Sequence, residues 1–207
     1  MLVSHQKNIN KIFMNTLIDY YEFNKNKPSD INEHFETFVR YSLECETIFE
    51  MGVRGITSTW AFIMGKPKKM VSIDFQHPEV FGGDINEVYR ICNDLGIDYE
   101  FRMQNTLECE IEECDLLFID TWHDFLQLKS ELFRHHSKVK KYIILHDTHS
   151  YGFKDEDLYS EYDLGRKETN LPKGLIASVD EFILKNPEWY IYERFANNNG
   201  ITILKKI

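Results

Sequence analysis

Two apolar runs in this chain end abruptly on residues that can bind a cation or move a proton. Leu116, Leu117, Phe118 and Ile119 lead into Asp120, Thr121, Trp122 and His123. Tyr142, Ile143, Ile144 and Leu145 lead into His146 and Asp147. Carboxylates are ligands for hard divalent cations, and an imidazole titrates near neutral pH. Each run reads as a buried strand, and in an open α/β sheet neighbouring strands deliver their C-terminal residues to one crevice. The pattern therefore predicts that Asp120, His123, His146 and Asp147 converge, although 23 positions separate His123 from His146.

A second set of polar strand ends lies earlier. Glu50, Met51, Gly52, Val53, Arg54 and Gly55 follow a strand and open a helix. Gly52 lets the backbone turn tightly, and Gly55 lets a ligand approach. The spacing is E-x-G-x-x-G, whereas a dinucleotide pyrophosphate asks for glycine at the first position. Glu50 would repel a diphosphate and attract a cationic or amine-bearing ligand, which favours S-adenosylmethionine over NAD. Asp74 ends the next strand, 22 positions after Gly52. A carboxylate there can accept both hydroxyls of a ribose. Asn105 and Thr106 follow the third strand, where a polar side chain can meet an adenine edge or simply make a turn.

The elements that must position these residues follow from periodicity. Ile9, Ile12, Phe13, Thr16, Leu17, Tyr20 and Tyr21 fall at helical spacing, ended by Pro28. Asp30 followed by Glu33 looks like a capping box for a second helix with Phe35, Phe38 and Val39 on its buried face. Residues 1–43 are thus expected to form an N-terminal helical cap, over the site or in a homo-oligomer contact. From Thr47 the rhythm alternates, with strands at 47–50, 69–74, 99–103, 115–120 and up to 147. Helices are expected at 57–64, 85–95, about 125–135 and 175–184. Strands at 189–195 and 201–204 flank Asn197, Asn198, Asn199 and Gly200, a hairpin-type turn. The polar stretch 148–172 is long enough to be a lid. The expected fold class is α/β: a Rossmann-like, seven-stranded, mostly parallel sheet with helices on both faces and an antiparallel C-terminal hairpin, residues 44–207 forming one compact unit.

Composition narrows the function. The 207 residues are 43% hydrophobic, enough for one globular domain. Thirty-four acids against 24 bases give a net charge of −10, which opposes nonspecific binding to nucleic acid or an anionic membrane. Lys66, Lys68 and Lys69 are the one tight basic cluster of the front half and read as a solvated loop. Cys45, Cys92, Cys109 and Cys114 form no C-x-x-C pair and read as reduced thiols of a cytoplasmic protein. No apolar run has the about 20 residues a membrane span needs.

The motifs together resemble a class I S-adenosylmethionine-dependent methyltransferase. The segment 50–55, Asp74, the 105–108 turn and the closing hairpin carry that likeness. Asp120-x-x-His123 with an acid after strand five resembles the metal-dependent sugar O-methyltransferases, in the group of the macrolide-sugar O-methyltransferases and the cephalosporin 7-α-methoxylation protein. Residues 177–182 and 199–204 resemble the C-terminal end of that group, and the likeness runs over about residues 44–207. It implies S-adenosylmethionine as cofactor, held by Glu50, Gly52, Gly55, Asp74, Asn105 and Thr106. It implies a divalent cation, magnesium or manganese, on Asp120 and the two residues after strand five, with His123 as general base on a sugar or glycoside hydroxyl. His146 departs from the pattern, standing where that group has an acid. The ion can then rest on Asp120, Asp147 and waters; a softer ion such as manganese can accept His146; or metal is lost and His146 shares acid–base work with His123. His146 can also simply cap its strand, leaving Asp147 alone in the chemistry.

Other histidines and aromatics read differently. His135 and His136 sit at a helix end, where positive charge suits the dipole. His149 lies close enough to line the pocket, and His77 shapes the loop after Asp74. Trp122, Tyr151 and Phe153 can stack on a sugar or pack locally. The expected activity is O-methylation of a sugar hydroxyl. The alternatives are methylation of another hydroxyl, such as a catechol or natural-product alcohol, and a noncatalytic Rossmann-like domain inside a larger glycan-processing polypeptide.

Overall fold

The structure is a computed structural model that describes residues 15–156 and 171–207. Seven strands form one sheet in the order β3-β2-β1-β4-β5-β7-β6. They are β1 (Thr47–Met51), β2 (Lys69–Asp74), β3 (Asp98–Met103), β4 (Cys114–Ile119), β5 (Val139–Leu145), β6 (Trp189–Phe195) and β7 (Ile201–Lys206). All neighbouring pairs are parallel except those of β7 with β5 and β6. The α-helices among the described residues are α1 (Leu17–Asn26), α2 (Phe35–Ser42), α3 (Ser58–Met64), α4 (Ile85–Leu95), α5 (Phe125–His135) and α6 (Leu175–Lys185), joined by three short 3-10 turns.

The apolar runs are strands because both of their faces are covered. All six residues of β4 are buried. Alternate side chains go to opposite faces. Ile48, Met70, Leu116, Phe118 and Ile144 join a core with residues of α1 to α4. Phe49, Val71, Leu117, Ile119, Ile143 and Leu145 join another with residues of α5 and α6. Asp124 caps α5 through Gln127 N–H, and Gly96 ends α4 in the left-handed region at φ 71°.

The N-terminal part differs in detail from the expectation. Positions 9–14 lie outside the described residues. Thr16 is the N-cap of α1 rather than part of its buried face, making a capping box with Asp19. Asp30 and Glu33 make no capping box. The chain enters α2 through a 3-10 turn at Asn32–His34, fixed by Ser29 and Asn32: the Ser29 hydroxyl accepts from Ile31 and Asn32 N–H, and Ser29 N–H donates to Asn32 Oδ1. Ser29 and Asn32 make that reciprocal contact one residue earlier, and the Glu33 N–H that the expected box needs donates instead to Asn198 Oδ1 at 2.9 Å. Phe35 and Phe38 are fully buried as expected, each contributing about 2–3 kcal/mol. Phe38 packs on Phe62 and Phe118, ring centroids 5.0 and 5.2 Å away. Tyr20 of α1 stacks on Trp60 at 4.2 Å.

Of the stretch 148–172, residues 157–170 lie outside the described residues, and with them most of the expected lid. Residues 148–156 are anchored on the start of α6: Leu175 and Ile176 N–H donate to the carbonyls of Tyr151 and Gly152, both at 3.0 Å. All four cysteines are buried free thiols. Among the described residues no helix is long and apolar enough to cross a membrane.

Candidate active site

The strand order reverses between β1 and β4, which places a crevice at their C-terminal ends. Two backbone bonds set the floor: Asp120 N–H donates to Met51 O at 2.8 Å, and His146 N–H to Ile119 O at 3.1 Å. Gly52 stands against this floor at φ 85°, and a β-carbon there would come within 1.8 Å of the Asp120 carbonyl oxygen. Its lack of a side chain is thus demanded by the neighbouring strand end as well as by the turn. Gly55 has no such constraint. The strained backbone lies on either side of it, at Arg54 and Ile56, with φ 44° and 63°.

The four residues expected to converge do so. His146 Nδ1 lies 3.1 Å from Asp120 Oδ1 and 3.0 Å from Asp147 Oδ2. Nε2 of the same ring faces the backbone carbonyls of Asp30 at 3.0 Å and Asn198 at 3.3 Å. A carbonyl only accepts, so Nε2 carries hydrogen, and Nδ1, paired with Asp120 here, is the nitrogen that would ligate a cation on giving up its own proton. Ligand atoms of Asp120, His146 and Asp147 all lie within 4.8 Å of one another. His123 closes the group. Its Nε2 is 2.8 Å from Asp147 Oδ2 and 3.7 Å from Asp120 Oδ1. The Nε2–Asp147 contact is an ion pair between the ring and the carboxylate. Asp147 holds φ 59°, a left-handed conformation that costs a non-glycine residue about 1–2 kcal/mol.

The electrostatics are those of two histidines among carboxylates. Burial pulls the His123 pKa down, but Asp120 and Asp147 outweigh it and push the value up to about 10. Burial opposes a charge on His146 too, and again Asp120 and Asp147 raise its pKa. The carboxyls of Asp120 and Asp147 move the other way: burial would raise both, but the two imidazoles hold them low. The two imidazoles thus answer the two carboxylates in this structure, and a cation bound between Asp120 and Asp147 would take over that part and lower both histidine pKa values.

The residues expected to hold a cofactor divide. Asp74 ends β2 beside the Gly52 turn. Its Oδ2 accepts from Val53 and Arg54 N–H at 2.8 and 2.9 Å, and its Oδ1 from Gln76 N–H at 2.9 Å. One lone pair of Oδ1 remains for a hydroxyl. Glu50 departs from the expected direct contact. It is fully buried, accepting from the hydroxyls of Ser58 at 2.6 Å, Thr59 at 2.8 Å and Ser72 at 2.7 Å. Burial raises its pKa to about 7 against those hydrogen bonds. It ties α3 to β1 and β2 and so shapes the turn instead of facing a ligand. Asn105 is exposed, and its Oδ1 accepts from Leu107 N–H at 3.0 Å, a local Asx turn. Thr106 is buried, donating to Glu131 Oε1 at 2.5 Å and accepting His135 Nε2–H on its carbonyl at 2.8 Å. It belongs to a polar knot under the crevice rather than to its wall.

Residues beyond the strand ends complete the surroundings of the cluster. Glu156 Oε2 lies 2.8 Å from His123 Nδ1. Tyr151 stacks on the His123 ring at 4.7 Å, with 11° between planes. Asn199 Nδ2 donates to Asp147 Oδ1 at 2.9 Å, and the Asn198 carbonyl serves both His146 and the buried His34, whose Nε2 is 3.2 Å away. His149 and Phe153 are exposed and His136 bonds the Leu132 carbonyl, so none of these joins the cluster. His77 caps a 3-10 turn after Asp74.

No protein-family model matches the sequence, and no curated protein matches it. Solved structures do. An O-methyltransferase from Bacillus cereus in complex with SAH is 15% identical with a TM-score of 0.60, matched over 96% of this chain and 94% of that one. The SAH-bound methyltransferase PaMTH1 of Podospora anserina is 15% identical with a TM-score of 0.56, over 94% and 89%. An S-adenosylmethionine-dependent methyltransferase from Clostridium acetobutylicum is 12% identical with a TM-score of 0.53, over 91% and 96%. At such identities the likeness is one of fold, and the chain has the fold of these methyltransferases.

Proposed function

We propose that this chain is an S-adenosylmethionine-dependent O-methyltransferase acting on a sugar hydroxyl of a glycan or glycoside. The observation that carries the reading is the convergence of His123 with Asp120, His146 and Asp147 at the mouth of a methyltransferase-type sheet, beside the Gly52 turn. Methyl transfer to oxygen needs little beyond alignment of an activated methyl group and removal of one proton. The acceptor oxygen forms a bond to the methyl carbon, the carbon–sulfur bond breaks, and sulfur keeps its electrons as the thioether of S-adenosylhomocysteine. The hydroxyl proton would pass to His123 Nε2, since a cation bound between Asp120 and Asp147 would lower the pKa that these carboxylates otherwise raise and free that nitrogen as a base. Asp74 would offer its remaining lone pair to a ribose hydroxyl, and Gly52 the room for close approach.

The residues present fit a divalent cation. Two carboxylates and a ring nitrogen with its far side fixed on carbonyls make a mixed oxygen and nitrogen donor set. Such a set suits manganese better than magnesium, which prefers oxygen alone. When bound, the cation supplies positive charge that stabilises a developing alkoxide and orients a diol. Asp120, Asp147 and His146 would hold it. They would also position an acceptor oxygen near His123. A noncatalytic module has no need of this arrangement, least of all of Asp147 in a strained backbone.

Calorimetric titration with S-adenosylhomocysteine tests the cofactor half of the reading. Saturable binding in the micromolar range is expected. No heat at millimolar ligand rejects it.

A further inference from the structure

We propose that Glu156 is a positioning residue for His123, forming with it a carboxylate–imidazole pair that fixes the direction in which the ring presents Nε2 to the acceptor hydroxyl. The inference rests on the methyl-transfer reading above and adds a residue that neither the strand ends nor the nucleotide motifs contain.

Glu156 holds His123 at two points. Its Oε2 is 2.8 Å from Nδ1, and its backbone N–H donates to the His123 carbonyl at 2.8 Å. Side chain and main chain are thus fixed together, which sets the direction of the ring and not only its location. The neighbouring residue makes this grip firm. Asp155 Oδ1 accepts from Phe125 N–H at 3.1 Å and from Gly174 N–H at 2.8 Å, joining the start of α5 to the start of α6. Tyr151 lies flat on the imidazole from the same segment, and Lys154 Nζ sits 5.5 Å from the Tyr151 ring centroid.

The chemistry follows from what each atom can do. An ionised carboxylate only accepts, so the nitrogen facing Glu156 carries hydrogen. Nε2 is thereby the nitrogen turned toward Asp120 and Asp147, the side on which an acceptor hydroxyl would lie. The same carboxylate keeps the ring from turning when an acceptor enters. This is the role a buried aspartate has beside the histidine of a serine-protease triad. Without Glu156 the ring can turn over or present the wrong tautomer, and the acceptor proton then has no aligned destination.

The test uses the whole chain labelled with 15N-histidine, together with methyl transfer measured by mass spectrometry. In the wild type a hydrogen-bonded Nδ1–H resonance assigned to His123 is expected. Glu156→Ala should remove it and lower kcat about 10- to 100-fold, with affinity for S-adenosylhomocysteine unchanged. Glu156→Gln, of the same shape, should keep the resonance at higher field and recover part of kcat. A resonance absent from the wild type, or unchanged in Glu156→Ala, overturns the pairing whatever the activity. A resonance lost with kcat intact overturns the positioning role. Absence of methyl transfer in the wild type sinks the proposed function instead, and the resonance still decides the pairing.

Discussion

The Nε2 of His146 lies 3.0 Å from the backbone carbonyl of Asp30, 116 positions away in the chain. A residue of the N-terminal segment therefore decides which nitrogen of a strand-end histidine looks into the crevice. With Nε2 tied to that carbonyl, Nδ1 faces Asp120 and Asp147, and the donor set becomes oxygen plus nitrogen. The wild type is expected to be more active with manganese than with magnesium at equal concentration. His146→Ala should weaken manganese binding at least about 10-fold, read by calorimetry. Equal activity after exhaustive chelation contradicts the metal assignment.

Asn199 holds the other ligand. Its Nδ2 donates to Asp147 Oδ1 and its Oδ1 accepts from the Ser150 hydroxyl, while its backbone sits at φ 66°. Asparagine tolerates that conformation better than most residues. Asn199→Ala should therefore cost about 1–3 kcal/mol of stability through the lost hydrogen bonds and the strained backbone. Asn199→Gly keeps the backbone relaxed and should lose metal affinity with a smaller loss of stability. Urea unfolding together with a metal titration separates the two effects. If both variants bind manganese as the wild type does, Asn199 does not position Asp147.

The sequence displayed the convergence because apolar strands stop sharply on polar residues, and sheet topology does the rest. It could not display Glu156, since an acid in a loop of many acids has no distinguishing pattern. The carbonyls of Asp30 and Asn198 are invisible for a simpler reason: every residue has one. Glu50 shows a subtler gap. Its place in E-x-G-x-x-G suggested a ligand contact, but Ser58, Thr59 and Ser72 close on it only when three elements pack. The Asp30–Glu33 spacing likewise suggests a capping box, while the Glu33 amide it needs goes to Asn198 Oδ1, far away in the chain.

Buried Glu50 predicts a pH dependence of stability. Its carboxyl titrates near 4.5 in an unfolded chain and at about 7 in the fold, burial being the cause. Between those values the unfolded state ionises and the folded state stays neutral, so the unfolded state binds fewer protons and stability falls as pH rises. The contribution is fully present below about 4.5 and gone above about 7, a difference of about 3 kcal/mol. Glu50→Gln removes the titration while keeping an acceptor for the hydroxyls. Urea unfolding at pH 5 and pH 8 should show the wild type losing more stability than Glu50→Gln over that interval. Parallel pH curves contradict the assignment.

Gly52 predicts a steric effect at the crevice floor. Alanine there meets the Asp120 carbonyl and also an unfavourable φ. The two penalties together should cost about 3 kcal/mol. Because the displaced group is the backbone of Asp120, methyl transfer should fall further than the residual folded fraction explains. A Gly52→Ala protein with wild-type midpoint and turnover contradicts this packing.

The central claim is methyl transfer to a hydroxyl with His123 as base, and one measurement addresses it directly. The protein is incubated with methyl-labelled S-adenosylmethionine, manganese and a panel of free sugars, glycosides and catechols, and products are read by mass spectrometry. The account predicts a singly O-methylated sugar or glycoside, formed by the wild type and reduced at least about 100-fold in His123→Ala. Methylation of catechols alone would contradict the sugar acceptor. No labelled product from any acceptor, or full turnover by His123→Ala, would contradict the account itself.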